Sequence, residues 1–186
     1  MNARMPVIAL CLLGSTLAVA AAQGDTAAAI SVRESDGGAY TVLAQFSVAE
    51  PAAAVWAVLT DYEQIPRFMP GVRTSRVLER EDGRVRVEQE AVSRFMMFSK
   101  RVHLVLDVAE GTDVIRFRDR CGRSFTSYEG AWTIVDRGDR AEIEYGLTAR
   151  PAFDVPGFVL RRLLDRDARA MIDGLRSEIT ARALRP

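Results

Sequence analysis

This chain is short of the side chains from which most active centres are built. Among 186 residues it has one histidine and two cysteines, too few to cluster around a zinc ion. A serine triad would have to rest on His103 alone, and no nucleophile-elbow motif accompanies it. There is no phosphate-cradling glycine loop and no dinucleotide fingerprint, so no cofactor is expected. Its 25 basic residues are matched by 25 acidic ones, which leaves no basic excess to attract nucleic acid. The longest apolar run, Val7 to Leu17, is too short to be a good membrane span.

That run has another meaning. Met1 to Pro6 carries a positive charge at Arg4, and Ala18-Val19-Ala20 and Ala20-Ala21-Ala22 are small-x-small cleavage sites. Residues 1–22 are therefore expected to be a secretory signal peptide, with the mature protein periplasmic or secreted. Cys11 follows Leu10 rather than a small residue, which argues against a lipoprotein site. Cleavage leaves Cys121 as the single cysteine, so no internal disulfide forms and stability must come from a core. Residues 23–29 are expected to be a disordered lead-in, and residues 30–186 one domain; a composition 48% hydrophobic suits that.

The domain is organised around Pro51 to Gly71. Pro51 is expected at a first helical position, and Ala54, Val55, Val58 and Leu59 recur at helical spacing up to Thr60. Asp61 is expected to cap a second short helix from Tyr62 to Phe68, stopped by Pro70-Gly71. The rest alternates with period two between turn signals. Ile30–Glu34 and Ala39–Val48 flank Asp36-Gly37-Gly38, and Val72–Glu81 and Arg84–Arg94 flank Asp82-Gly83. Arg101–Ala109, Val114–Asp119, Phe125–Val135 and Glu142–Arg150 follow, an antiparallel meander. From Pro156 to Leu184 the period becomes helical. Leu160, Leu164, Ala168, Met171, Leu175 and Ile179 form an apolar stripe, widened by Leu163 and Ile172. Only a broad apolar surface buries such a stripe, and the meander supplies one: an α+β fold with a curved antiparallel sheet wrapped around a C-terminal helix.

Three groups of residues now resemble a known family in their order and spacing. They are Val55-Trp56-Ala57-Val58-Leu59-Thr60-Asp61-Tyr62-Glu63, then Pro66-Arg67-Phe68-Met69-Pro70 with Ser75-Arg76-Val77-Leu78, and later Gln89, Gly130-Ala131-Trp132 and Pro151-Ala152-Phe153. From about residue 38 onward the chain resembles the START-like helix-grip (SRPBCC) superfamily, in its branch of polyketide cyclase/dehydrase-like and coenzyme Q-binding (COQ10-like) proteins. It looks like an exported member. The resemblance implies an elongated apolar tunnel between sheet and helix. The side chains expected to line it are Val87, Gln89, Leu104, Phe117, Tyr128, Trp132, Tyr145 and Leu147 from the sheet, with Leu164, Met171 and Leu175 from the helix.

Counting turns adds an independent point. Alternate turns of a meander lie at one end of the sheet, which gathers Phe68, Met69, Phe95, Met96, Met97, Phe98, Phe153 and Phe158 at one end. The other end collects Asp82-Gly83, Glu110–Asp113 and Asp136–Asp139. Apolar loop tips are unusual; they are expected to form the mouth of the tunnel and to make transient membrane contact. His103, alternating with Val102 and Leu104, is expected to face away from the tunnel. Arg94, Arg116 and Arg118, as alternating strand residues, are expected in solvent. Three functions remain open: a carrier for a hydrophobic small molecule, a cyclase or dehydratase using Tyr128, Tyr145 or Arg116 to polarise its substrate, or a protein-docking module. Oligomeric state is not legible. N-terminal sequencing of exported protein should find cleavage after Ala20 or Ala22; a mature form that keeps Arg4 and Cys11 would be a tethered protein instead.

Overall fold

Alternation of side chains sets the sheet. In β2 (Ala39–Val48) Tyr40, Val42, Ala44, Phe46 and Val48 are buried while Leu43, between two of them, is 49% exposed; the pleat sends successive side chains to opposite faces. A computed structural model describes residues 27–95 and 98–185; the expected signal peptide, and most of the lead-in, lie outside the described residues. β1 (Ala29–Ser35) begins one residue before the expected strand, with Ala29 opposite Gln45.

After β2 the chain leaves the sheet through α1 (Ala52–Leu59), a 3₁₀ turn at Tyr62–Gln64 and α2 (Ile65–Phe68). Two expectations are corrected here. Pro51 is the extended residue that precedes α1 rather than its first helical residue. Asp61 makes no side-chain capping bond; its Oδ2 accepts a hydrogen bond from Arg182 Nη1 at 2.8 Å. A charged partner on another element outcompetes the local N–H groups.

Six strands follow: β3 (Val72–Glu81), β4 (Arg84–Phe95), β5 (Phe98–Glu110), β6 (Val114–Asp119), β7 (Phe125–Asp136) and β8 (Ala141–Pro151). The sheet has eight antiparallel strands in the order β1-β2-β8-β7-β6-β5-β4-β3. The meander is as expected; the sequence alone did not indicate that β2 pairs with β8, setting Phe46 opposite Ile143. β4 and β5 also run further than their hydrophobic pattern suggests. Phe95 pairs with Phe98, because continuing the ladder satisfies backbone groups that a six-residue loop between the expected strands would leave to solvent.

The last element, α3 (Gly157–Ala183), buries Val159, Leu160, Ala168, Ile172, Leu175 and Ile179; the valine, leucine and isoleucine side chains each contribute about 1.5–3 kcal/mol when fully covered. Its C-terminal half is also held by polar bonds. Arg182 bonds Asp61 and Glu178, Thr180 Oγ1 donates to Glu50 Oε1, and Arg176 Nη2 donates to the Ser47 carbonyl at 3.3 Å. Gly174 permits the closest approach: a Cβ there would stand 1.9 Å from the Phe68 carbonyl oxygen.

Gly→Ala in an open helix stabilises by about 1 kcal/mol. At Gly174 the obstacle is backbone, so Gly174→Ala should destabilise by about 1–3 kcal/mol, read as a lower urea midpoint. An unchanged or higher midpoint would show that α3 can be displaced from α2 without loss.

Candidate ligand-binding cavity

The concave face of the sheet and the N-terminal half of α3 do not close on each other. Between them lies a cavity of about 390 Å³, walled by Val42, Leu104, Leu147, Leu160, Leu163 and Leu164 among others. A second void of about 90 Å³ lies toward the short helices, bordered by Leu59, Tyr62, Ile65, Val87, Phe117 and Trp132. Gln89, Tyr128, Tyr145, Met171 and Met69 border both. The larger cavity reaches the chain at Met69–Val72, Ser93, Ser99-Lys100 and Phe153–Val155, which is the apolar end found by counting turns.

Each residue proposed from sequence can now be placed. Leu104, Leu147 and Leu164 face the larger cavity, Val87, Phe117 and Trp132 the smaller, and Gln89, Tyr128, Tyr145 and Met171 both. Leu175 borders neither and is wholly buried in the core. It shares the helical face of Met171 one turn on, where α3 has passed beyond the cavity. At the mouth, Met69 and Phe153 line the larger cavity. Phe68 is buried in the core, because α2 turns successive side chains to different faces. Phe158 is 70% exposed and lines neither void. The side chains of Phe95 and Phe98, and residues Met96 and Met97, lie outside the described residues. Their flanking neighbours Ser93 and Ser99 both line the cavity.

Sequence reading missed the polar part of the rim. Ser93 Oγ donates to Asp167 Oδ2, a bond from the end of β4 to α3, and Asp167 Oδ1 accepts from Arg166 Nη2 at 2.7 Å. Lys100 Nζ stands 4.2 Å from the centroid of the Phe153 ring, within cation–π range. Asp167 had a signal: it lies four residues after Leu163 and four before Met171, a polar position inside the widened apolar stripe.

The inner wall is aromatic. Trp132 and Tyr145 have ring centroids 4.3 Å apart, Phe125 and Tyr128 4.9 Å, and Phe117 and Tyr145 6.4 Å. Phe117 covers Gly130, its cross-strand partner, where a Cβ would meet the ring at 2.6 Å. Burial pushes the Tyr128 phenol up to about 12, partly opposed by a hydrogen bond to Tyr145, and pushes Tyr145 well above its ordinary range. Tyr62 is also raised, by burial and by its 2.8 Å hydrogen bond to Glu110. Tyr40 is raised by burial and by the charge of Glu34.

The remaining candidates point elsewhere. His103 lies outside, 3.9 Å from a Glu88 oxygen and 3.8 Å from Glu90. Arg118 pairs with Glu129 at 2.8 Å, and Arg116 is likewise on the outer face. Cys121 lies outside both voids, with Sγ 3.7 Å from the His103 carbonyl. Among the described residues no group of three or more His, Cys, Asp or Glu could hold a metal, and no helix is long and apolar enough to cross a membrane.

A curved antiparallel sheet gripping a long C-terminal helix over an apolar cavity defines the helix-grip class of START-like domains. The family described as "Polyketide cyclase / dehydrase and lipid transport" matches residues 48–176, and the chain belongs to it. Solved structures share the fold. The Zhui aromatase/cyclase from Streptomyces sp. R1128 superposes with a TM-score of 0.66 at 17% identity, over 78% of this chain and 96% of that one. A START superfamily protein from Mycobacterium smegmatis gives 0.62 at 18% identity, over 76% and 97%. A STAR-related lipid transfer protein from Xanthomonas axonopodis gives 0.58 at 18% identity, over 81% and 98%. No curated protein matches the sequence.

Two measurements follow from this wall. Trp132 is 7% exposed, so Trp132→Ala should lower stability by about 3–5 kcal/mol in urea denaturation; a loss below about 1 kcal/mol would contradict its packing against Tyr145. All four tyrosines have raised folded-state pKa values. A group raised on folding gives stability that is present below its unfolded pKa, about 10 for tyrosine, and lost as pH climbs through the folded value. Spectrophotometric titration of wild type against Tyr128→Phe and Tyr145→Phe proteins should therefore show both wall tyrosines still protonated near pH 10 in folded protein, then releasing their protons at higher pH. Either of these two titrating normally in the folded state would contradict the buried wall.

Proposed function

We propose that this protein binds and carries one hydrophobic small molecule in the cavity under α3. The observation that supports this reading most is the cavity itself, about 390 Å³ with apolar walls. Protein interiors rarely leave voids larger than a water molecule, and small-molecule pockets fall in a range of about 300–1,000 Å³. At about 24 cal/mol per Å³, holding such walls apart would cost at most on the order of 9 kcal/mol, comparable to the net stability of a whole domain. A bound apolar molecule recovers that loss. The volume suits a lipid of one chain, a quinone or a polyketide-like ring system rather than a two-chain phospholipid.

The docking-module reading needs a cavity filled by side chains, and this one is open. The cyclase or dehydratase reading, in which Tyr128 or Tyr145 polarises a substrate oxygen, is the alternative: both phenols border the cavity and keep their protons, which suits hydrogen bonding, whereas Arg116 lies on the outer face. The proposal includes export through the signal peptide, action in the periplasm or outside the cell, and transient contact of the apolar mouth with a membrane. Partial insertion of several mouth side chains, at about 1.5–3 kcal/mol each when fully buried, would be enough for that contact.

N-phenyl-1-naphthylamine should brighten on binding the mature protein. Ala168→Phe, or the milder Ala91→Leu, fills the cavity and should abolish the change while circular dichroism stays native. A wild-type protein that leaves the dye dark would reject the carrier reading. Flotation with zwitterionic vesicles should retain the mature protein with little dependence on salt. A folded variant combining Phe95→Ser, Met96→Ser, Met97→Ser and Phe98→Ser should lose it; equal flotation by both proteins, or by neither, rejects the membrane contact.

A further inference from the structure

The balanced charge of the whole chain conceals a segregation of the charges left without partners. Arg67 and Arg73 flank the Met69–Val72 segment that lines the mouth, and Arg101 follows Lys100 there. Arg123 lies in the turn whose Ser124 carbonyl accepts from the Ala152 N–H, and Arg150 stands at the end of β8 just before it. Arg161 and Arg162 follow the exposed Phe158, beside Leu160 and Leu163 of the cavity wall. All these arginines are exposed, and none makes an ion pair or a side-chain hydrogen bond among the described residues. At the other end of the sheet the pattern inverts. There Arg80, Arg86, Arg137 and Arg182 pair with Glu110, Asp107, Glu142 and Asp61. Carboxylates are left over instead: Glu63, Glu81, Asp82, Asp113 and Asp139 have no ion pair among the described residues. Against this pattern stand Glu34 and Asp154 at the mouth, and Arg84, Arg116 and Arg185 away from it. The other mouth carboxylates are used internally: Asp165 pairs with Arg169, Asp167 with Arg166, and Asp119 accepts from the Cys121 and Gly122 N–H groups of its own turn.

Resting on the membrane contact proposed above, we infer that the surface this mouth docks on is anionic: a bilayer rich in acidic phospholipid, met mouth-first with the arginine collar at the level of the phosphates. Unpaired exposed charges answer a surface of opposite sign, whereas paired ones cancel beyond a Debye length, about 8 Å at physiological salt. The collar surrounds an apolar opening at Met69 and Phe153, with Phe158 exposed beside it. That order, cations outside and hydrocarbon within, matches the layering of a bilayer, phosphate above acyl chain. A nucleic acid or another soluble polyanion offers the first layer without the second. The segregation also sets orientation. The carboxylate end is repelled by the surface that attracts the collar, so the cavity opens toward the lipid. On zwitterionic lipid the apolar contact acts alone, and acidic lipid adds a component that salt weakens.

The test is flotation of the mature protein with vesicles of phosphatidylcholine alone and of phosphatidylcholine mixed with phosphatidylglycerol. Partitioning at low salt should be at least about tenfold stronger on the anionic vesicles, and should approach the neutral-lipid value as salt is raised. Arg73→Gln, Arg161→Gln, Arg162→Gln protein should lose most of that gain. Arg84→Gln, Arg116→Gln, Arg185→Gln protein carries the same change in net charge away from the mouth and should keep it. The substituted side chains are exposed and unpaired among the described residues, so both variants should stay folded by circular dichroism. Equal partitioning on the two lipids, or an equal loss in the two variants, would overturn the inference while leaving the membrane contact intact. Tight wild-type binding to heparin with no preference for anionic vesicles would reassign the collar to a soluble polyanion and overturn it as well. Flotation with neither composition rejects the membrane contact itself, and this inference falls with it.

Discussion

The fold depends on how α3 is held. From Arg176 onward the helix is pinned to the rest of the molecule by polar bonds to Ser47, Glu50 and Asp61, and Gly174 lets it touch the backbone of Phe68. Before that point it spans the concave sheet over an open cavity, attached at the rim through the Ser93–Asp167 bond. One half of the helix closes a core and the other roofs a chamber. Had the apolar stripe packed fully along its length, the inner faces of β4, β5, β7 and β8 would have been core throughout.

The sheet cooperates through its register. Antiparallel pairing of β7 with β8 sets Trp132 opposite Tyr145, and the alternation along β7 adds Tyr128 to the same face. Gly130 between them is covered by Phe117 from β6. The result is an aromatic wall on the concave face of the sheet, bordering both voids. Charged residues sit on the opposite face, where Arg86 bonds Asp107 and Arg118 bonds Glu129.

Much of this was legible because period two and period 3.6 leave different marks. The strands and the long helix followed from alternation and turn counting, although several strands, β5 most of all, extend beyond their expected limits. What alternation cannot carry is pairing at a distance: nothing local to β2 states that its partner is β8. Nor does it resolve depth. Met171 and Leu175 share one helical stripe, yet one borders the cavity and the other closes the core. Phe68 and Met69 are adjacent, and only the second lines the cavity. Asp61 looked like a cap because capping is local, whereas its partner Arg182 is separated from it by 121 positions.

The central claim is that this chamber exists to be occupied by a small molecule, and native mass spectrometry of protein recovered from its own cellular compartment addresses that most directly. The account predicts a one-to-one adduct lighter than a two-chain phospholipid, carried by wild type and missing from folded Ala168→Phe protein. Bare protein from both, or an adduct held equally well once the cavity is filled, would contradict it.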